Sequence, residues 1–370
     1  MSIRSKHTRD GSKGGSAGRL ALGARRLLAA LTVLAVAGAS SAAFAQQLSA
    51  GPNSPGASFN NVTFGTVAWT TPGNAVASDD TYAQASPGGG NTNYLHANNF
   101  NLQIPPPAVI EGIEVNVEKR SVSGTVVDSQ VRIVKGGVVG ATERADGATW
   151  PTVDTIVTYG GTGDLWGETW TAADLNANDF GVVISATDGL DTAAIDHITM
   201  TVHFSLCGAA PQVGCRTSAK AVLLVKDIGD DTKDKIVWKL TNGDPTSQTD
   251  FADPTATALY AFCVYEAGAL TADAVIAPSL SLWASVSTKG FKYKDNAGTQ
   301  SSITKALLKG SADPKVKVLL KGKGASVPAP PPPLTLPVVV QLVNSDNGIC
   351  WEGTYSTFLK NQAGLFKAKF

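Results

Sequence analysis

Short runs of alternating or β-branched residues, separated by clusters of Gly, Pro, Asn and Asp, constrain the fold of this 370-residue chain most strongly. In residues 113–118 the apolar side chains occupy every second position and polar side chains occupy the others. This alternation is typical of a strand with one buried and one solvated face. Comparable runs recur at 130–134, 180–184, 198–204, 221–225, 235–240, 260–265, 316–320 and 338–343. No long amphipathic helix interrupts them, so the sequence predicts an all-β protein.

The first 45 residues indicate an export leader. Seven Lys and Arg residues precede the apolar run 27–39, and Ala43-Phe44-Ala45 has the small-x-small pattern that a signal peptidase cleaves. The apolar run is too short to span a hydrocarbon core, which needs about 20 residues. We therefore expect residues 1–45 to be removed, with the chain from Gln46 secreted and carrying no transmembrane segment. The Arg25-Arg26 pair leaves both the general and the twin-arginine export routes open.

Charge divides the remaining chain into two parts. Residues 46–207 carry 5 basic and 16 acidic side chains, whereas residues 208–370 carry 18 basic and 13 acidic ones. Such a change of sign indicates a domain boundary. We predict a flexible N-terminus at 46–59, a jelly-roll-like β-sandwich at 60–206 and a basic β domain at 207–370, so that two β-sandwich domains follow each other in tandem.

All four cysteines lie in the second part: Cys207, Cys215, Cys263 and Cys350. An even number of cysteines in an exported chain indicates two disulfides. A zinc site is the alternative, but no C-x-x-C spacing occurs and the histidines lie elsewhere. Of the three connectivities, we favour Cys207 with Cys215 and Cys263 with Cys350.

A set of positions in the first part forms a recognisable pattern, which includes Trp69, Ser78-Asp79-Asp80-Thr81-Tyr82-Ala83, Tyr94-Leu95, Ile110-Glu111-Gly112-Ile113, Tyr159-Gly160-Gly161, Asp164-Leu165-Trp166-Gly167, Asp174-Leu175-Asn176 and Phe180-Gly181-Val182. This pattern, over about residues 60–205, resembles a jelly-roll-like module that recurs in bacterial secreted and phage-associated proteins. The resemblance implies a β-sandwich and supplies no catalytic residues.

The second part carries a different set of segments: Lys289-Gly290-Phe291-Lys292-Tyr293-Lys294-Asp295, Lys321-Gly322-Lys323-Gly324, Pro337-Val338-Val339-Val340-Gln341-Leu342 and Cys350-Trp351-Glu352-Gly353-Thr354-Tyr355-Ser356. They resemble an uncharacterised module of exported bacterial proteins. That resemblance implies a secreted β domain and nothing about its ligand.

Four aromatic residues between the strands of the first part are candidates for binding carbohydrate: Trp150, Tyr159, Trp166 and Trp170. Flat rings stack on the apolar faces of sugars, and binding residues are concentrated in loops. The alternative is that these rings fill the core of a small sandwich. We favour the core for Trp166 and Trp170, and we expect Trp150, next to Pro151, to be the best exposed candidate.

Acidic and histidine side chains suggest three further sites. Asp79 and Asp80 could hold Ca²⁺ through their carboxylate oxygens, although satisfying the amides of a turn is the favoured alternative. At 171–174 the sequence predicts a capping box that opens a short helical turn, in preference to a Ca²⁺ loop at 174–179. Asp196 next to His197 resembles a general-base pair, but no nucleophile motif accompanies it.

The stretch 289–323 holds nine lysines and two acidic residues. Lys289, Lys292, Lys294, Lys321 and Lys323 are candidates for contact with an anionic surface such as envelope polysaccharide or lipid headgroups. The favoured alternative is a solvated sheet face on which lysines protect strand edges. Export and the net negative charge beyond the leader argue against a nucleic-acid partner.

These observations predict an exported, non-catalytic protein that binds carbohydrate or another cell-surface ligand through loops of the first sandwich. One alternative is a structural or adhesive envelope protein attached through its basic second domain. The other is an extracellular hydrolase without a recognisable motif. No cofactor is expected other than Ca²⁺ at Asp79 and Asp80.

Overall fold

The computed structural model describes residues 45–187 and 190–370 and confirms an all-β fold. Apart from Ala45, the predicted leader lies outside the described residues. The first half contains β1 (Leu48–Asn53), β2 (Ala57–Asn61), β3 (Ala83–Ala85), β4 (Tyr94–Asn98), β5 (Val109–Ser121), β6 (Val127–Lys135), β7 (Val138–Val139), β8 (Thr155–Gly161), the helix α1 (Ala172–Asn176), β9 (Gly181–Thr187) and β10 (Ala193–Ser205). Within the described part of the chain, no helix has the length and hydropathy to cross a membrane.

The second half contains β11 (Ser218–Lys226), β12 (Lys235–Gly243), β13 (Tyr260–Glu266), β14 (Ala269–Ile276), β15 (Trp283–Ser285), β16 (Gly290–Lys294), β17 (Ile303–Lys309), β18 (Val316–Lys323), β19 (Val338–Asn344), β20 (Cys350–Tyr355), β21 (Lys360–Gln362) and β22 (Leu365–Lys369). Three short 3-10 turns lie at Pro72–Ala75, Asp231–Lys233 and Thr249–Phe251.

Two antiparallel sheets enclose the core of the first half. One has the order β1-β10-β5-β8, with β3 also paired to β10, and the other has the order β2-β4-β9-β6-β7. On β5, Ile113, Val115 and Val117 are fully buried, while the residues between them are half-buried, as the alternation predicts. These side chains share one apolar core with residues from β6 and β9. The sequence folds in this way because each strand has one apolar face.

The second half pairs a four-stranded sheet, β14-β13-β19-β20, with an eight-stranded sheet, β15-β16-β17-β18-β12-β11-β22-β21. Trp238 and Leu320 on the large sheet and Phe262 and Val340 on the small sheet belong to one core. The inward positions of the large sheet are therefore apolar, and its alternate positions face outward.

The small sheet is buried on both faces. On β13, Phe262 and Val264 belong to the core of the second half, whereas Ala261, Cys263 and Tyr265 belong to the apolar cluster of the first half. The described residues form one compact unit with this sheet as its middle layer. Continuous apolar runs, rather than alternating ones, are what a strand buried on both faces requires.

The disulfides join Cys207 to Cys263 and Cys215 to Cys350, so the predicted pairing is wrong. Cys207 follows β10 and lies in the first core, where its Cα is 5.7 Å from that of Cys263 on β13. Arg216 pairs its backbone with β20, with its N–H 2.8 Å from the Cys350 carbonyl oxygen. That pairing places Cys215 beside Cys350, with 4.6 Å between their Cα atoms.

Candidate functional site

Trp150 and Tyr159 belong to a buried polar cluster that also contains Lys119 and Asp128. The Trp150 indole donates to Asp128 Oδ1 at 2.8 Å, and the Tyr159 hydroxyl donates to Oδ2 at 2.7 Å. Lys119 Nζ lies 2.7 Å from Asp128 Oδ1 and 4.5 Å from the Trp150 ring centroid. The expectation that Trp150 is exposed is wrong, because only 2% of its surface is accessible and its indole N–H bonds a buried carboxylate.

The strands explain this cluster. Lys119 continues the inward positions of β5, and Asp128 faces it from β6 in the opposite sheet. Burial lowers the pKa of Lys119, and the facing Asp128 carboxylate opposes that shift. Burial and the same carboxylate raise the pKa of the Tyr159 hydroxyl. A buried charge persists only with such partners, so the cluster has a structural role.

Trp166 and Trp170 also bond to the protein's own backbone. Trp166 is fully buried and donates to the Ile113 carbonyl at 2.9 Å, while the half-buried Trp170 donates to the Leu165 carbonyl at 2.9 Å. The Trp170 ring meets Phe180 edge-on at 5.3 Å. Three of the four predicted sugar-binding rings therefore lack an exposed face on which a sugar could stack.

The predicted Ca²⁺ pair lies in a turn fixed by a third carboxylate. Asp196 is buried and accepts from the backbone amides of Asp79 and Asp80 at 3.4 and 3.3 Å. Burial raises the pKa of Asp196, and these two amides oppose that rise. Asp79 accepts from the Thr81 amide at 3.1 Å. Among residues 45–187 and 190–370, no group of three or more His, Cys, Asp or Glu side chains is placed to hold a metal ion.

Local sequence signals gave mixed results near α1 and His197. The capping box is confirmed, because Thr171 and Asp174 exchange side-chain bonds with each other's amides.

His197 does not pair with Asp196; its Nε2 lies 2.8 Å from Ser54 Oγ, a partner that sequence reasoning missed. In the described chain no carboxylate bonds to the His197 ring, so this Ser–His pair has no acid to orient it.

The outward face of the eight-stranded sheet has an unusual composition. Its strands contain fourteen lysines, no arginine and no carboxylate. We call these fourteen residues the lysine face: Lys220, Lys226, Lys235, Lys239, Lys292, Lys294, Lys305, Lys309, Lys317, Lys321, Lys323, Lys360, Lys367 and Lys369. Eleven are exposed and three, Lys226, Lys239 and Lys317, are half-exposed.

Strand register arranges the lysine face in rows that run across the strands. The row with the most lysines, which we call the longest row, passes through Lys294, Lys305, Lys321, Val237, Leu224, Lys367 and Lys360. A second row places Lys323, Lys235 and Lys226 on three successive strands. Neighbouring strands lie about 4.8 Å apart, so the longest row extends over roughly 29 Å. The side chains of directly paired lysines begin only about 5 Å apart.

No lysine of this face lies within 4.0 Å of a described carboxylate oxygen. Like charges at directly opposed strand positions are destabilising, and a solvated protein surface normally mixes both signs. The lysine stems cover half-buried aliphatic residues such as Val237 and Leu307, which explains part of the arrangement. It does not explain why carboxylates are absent from all eight strands.

Sequence reasoning located only part of this surface. Lys292, Lys294, Lys321 and Lys323 do share the lysine face, whereas Lys289 precedes β16 and lines a cleft at one end of the sheet. The other ten lysines lie on strands distributed between residues 218 and 369. The available signal was the repeated alternation of lysine with apolar residues, as in Leu365–Lys369.

Comparisons with known proteins add little. No family model matches the chain, and no curated protein matches it. Among solved structures, the glycoside hydrolase domain of Endo-D from Streptococcus pneumoniae aligns with 86% of this chain and 36% of its own, at 9% identity and a TM-score of 0.19. The chain thus spans about a third of that structure. A similarity at this level carries no argument, and the resemblances of the two halves remain predictions.

Proposed function

We propose that this protein is an exported, non-catalytic attachment protein that binds an anionic component of the cell envelope through its lysine face. The observation that supports the proposal most strongly is a sheet face of fourteen lysines with no carboxylate partner among the residues that the structure describes. A surface with one sign of charge attracts polyanions over a distance comparable to the Debye length, about 8 Å at physiological salt. The two disulfides fit a compartment outside the cytoplasm.

This proposal corresponds to the structural or adhesive alternative from the sequence. Sugar recognition by the first half has less support, because Trp150, Tyr159 and Trp166 are buried. A hydrolase also has less support, because the Ser54–His197 pair lacks an acid partner among the described residues. Attachment requires only exposed charge, and that charge lies on strands held rigidly by the core beneath them.

The proposal is tested by co-sedimentation of the oxidised protein with isolated cell envelopes at low and high salt. The informative variant is Lys305→Gln with Lys321→Gln, which removes two paired neighbours of the longest row. The matched control is Lys135→Gln with Lys233→Gln, which removes two lysines that already pair with carboxylates outside the face.

Each lysine near an anionic surface contributes roughly 1 kcal/mol, so the informative variant should bind about 30-fold more weakly at low salt. The control variant should stay within about threefold of wild type. Equal losses in the two variants, or envelope binding that does not respond to salt, would contradict attachment through the lysine face.

A further inference from the structure

A cleft of about 550 Å³ lies at the end of the eight-stranded sheet, next to the lysine face. Three parts of the chain line it: 246–248, 288–289, and 309–312 together with Lys315. Its volume falls within the roughly 300–1,000 Å³ of small-ligand sites. Lys309 belongs both to this lining and to the lysine face, so the cleft and the face form one continuous basic surface.

Backbone hydrogen bonds hold the three segments together. The Gly310 amide donates to the Lys289 carbonyl at 2.6 Å, and Thr246 and Ser311 exchange two bonds of 3.0 and 2.9 Å. A Cβ at Gly310 would lie 2.4 Å from the Thr246 carbonyl oxygen, so only glycine permits this approach. The walls of the cleft are therefore fixed before any ligand arrives.

The lining combines cations with neutral hydrogen-bonding groups. Lys289 and Lys309 have no carboxylate within 4.0 Å among the described residues, while Lys315 pairs with the exposed Asp313 at 3.1 Å. Four hydroxyl-bearing residues line the same space: Ser247, Thr288 and Ser311, together with the buried Thr246, whose hydroxyl donates to the Asp244 carbonyl. No carboxylate and no aromatic ring is part of the described lining.

Each chemical group in this lining has a counterpart in an acidic sugar. Lysine ammonium groups bind a carboxylate, phosphate or sulfate substituent by charge-assisted hydrogen bonds. Hydroxyl groups, such as those of Thr288 and Ser311, both donate to and accept from sugar hydroxyls. A purely electrostatic contact would need no cleft and no neutral polar groups.

We propose that this cleft binds one acidic sugar unit of an anionic polysaccharide whose neighbouring units extend over the lysine face. This inference rests on the proposed function and names the ligand of that surface. A polysaccharide fits better than a lipid bilayer, because neighbouring strands rotate by about 20–25° relative to each other. A flexible chain follows such a twisted face, whereas a flat membrane contacts only part of it.

The test is calorimetric titration of the oxidised protein with short oligosaccharides. Tetragalacturonate carries carboxylates, a heparin tetrasaccharide carries sulfates, and maltotetraose is the neutral control. Lys289→Gln changes the cleft but none of the fourteen lysines of the face. Lys233→Gln removes the same charge elsewhere, from a lysine paired with Asp230, and serves as its matched control. Thr288→Val tests the hydroxyl contribution without changing the charge.

We expect at least one acidic tetrasaccharide to bind and maltotetraose not to bind. Lys289→Gln should weaken that binding about tenfold, Thr288→Val about threefold and Lys233→Gln less than twofold. Preference between the two acidic probes would identify the substituent. Tetrasaccharide binding that Lys289→Gln and Lys233→Gln reduce equally would overturn the inference.

Parallel experiments with long polygalacturonate and with anionic lipid vesicles separate this inference from the proposed function. If the polygalacturonate or the vesicles bind in a way that depends on Lys305 and Lys321, while no tetrasaccharide binds, the inference about the cleft fails and the proposed attachment function stands. If no polymer, vesicle or tetrasaccharide binds, both fail.

Discussion

The two halves of the molecule use positive charge in opposite ways. All five Lys and Arg residues of 46–207 form ion pairs, with distances of 2.6–3.6 Å to their partners. Of the eighteen in 208–370, only Arg216, Lys233 and Lys315 form ion pairs with described carboxylates. Positive charge in the first half is paired with carboxylates, whereas most of it in the second half has no carboxylate partner among the described residues.

Breaking the buried ion pair of the first half should have one of the largest effects. Asp128→Asn leaves the Lys119 ammonium buried without a counter-charge, and we expect a loss of about 3–5 kcal/mol in the free energy of unfolding. The matched control is Asp313→Asn, which breaks the exposed pair with Lys315 and should cost at most about 1 kcal/mol. Urea denaturation with the disulfides intact measures both, and similar losses would show that the buried pair has no special role.

The disulfide between the halves should have an effect of nearly the same size. Cys207→Ser with Cys263→Ser opens a link between residues 56 positions apart, and loop-closure entropy gives a loss of about 4 kcal/mol. Cys215→Ser with Cys350→Ser opens the longer loop of 135 and should cost about 5 kcal/mol. Peptide mapping under non-reducing conditions checks the connectivity first. A Cys207–Cys215 peptide would contradict the pairing described above.

Lowering the pH should reduce the stability of the first half, because its paired carboxylates become protonated. The hydrogen bond from Arg144, opposed by burial, lowers the pKa of Asp164 below its ordinary value of 3.8. The stability that Asp164 contributes is therefore present above about pH 4 and is lost as the pH falls through its lowered pKa. The difference in unfolding free energy between wild type and Asp164→Asn should shrink over that range. A difference that stays constant from pH 6 to pH 2 would contradict the ion pair.

The smallest expected effect is a change in stability on removing opposed lysines of the lysine face, which is specific to the second half. Removing lysines that oppose each other should relieve repulsion, so Lys305→Gln with Lys321→Gln should stabilise the free protein by a few tenths to about 1 kcal/mol. Added NaCl should raise the melting temperature of wild type more than that of this variant. Thermal scans at about 0.05 M and about 1 M NaCl measure both effects. A destabilised variant would show that the lysine stems contribute more by packing than the charges cost by repulsion.

Local features of the sequence predicted the fold well. Alternation identified strands such as β5, and the residues at 171–174 predicted the helix cap. Features that depend on long-range pairing were not predictable. Trp150 is buried because Thr149 pairs with Val127 at the start of β6, which brings the indole to a carboxylate that is 22 residues away. The cysteine pairing likewise depends on the path of residues 208–214 after β10, which no local sequence feature indicates.

The lysine face likewise depends on long-range strand pairing, which the sequence did not predict. The lysine-rich stretch drew attention to 289–323, but the longest row also includes Lys360 and Lys367, which reach it through the pairing of β22 with β11. Strand order decides which lysines become neighbours, and no single segment of the sequence determines the strand order. The charge difference between the halves was visible in composition, whereas the separation of paired from unpaired cations required the structure.

The measurement that tests the central claim most directly is the salt dependence of binding to polygalacturonate for wild type and for Lys305→Gln with Lys321→Gln. Each cation–polyanion contact releases counterions, so the slope of log Kd against log salt counts the contacts. We expect the variant to bind more weakly and its slope to fall by about one to two. Identical slopes and affinities would contradict the claim that the unpaired lysines of the second half form the binding surface.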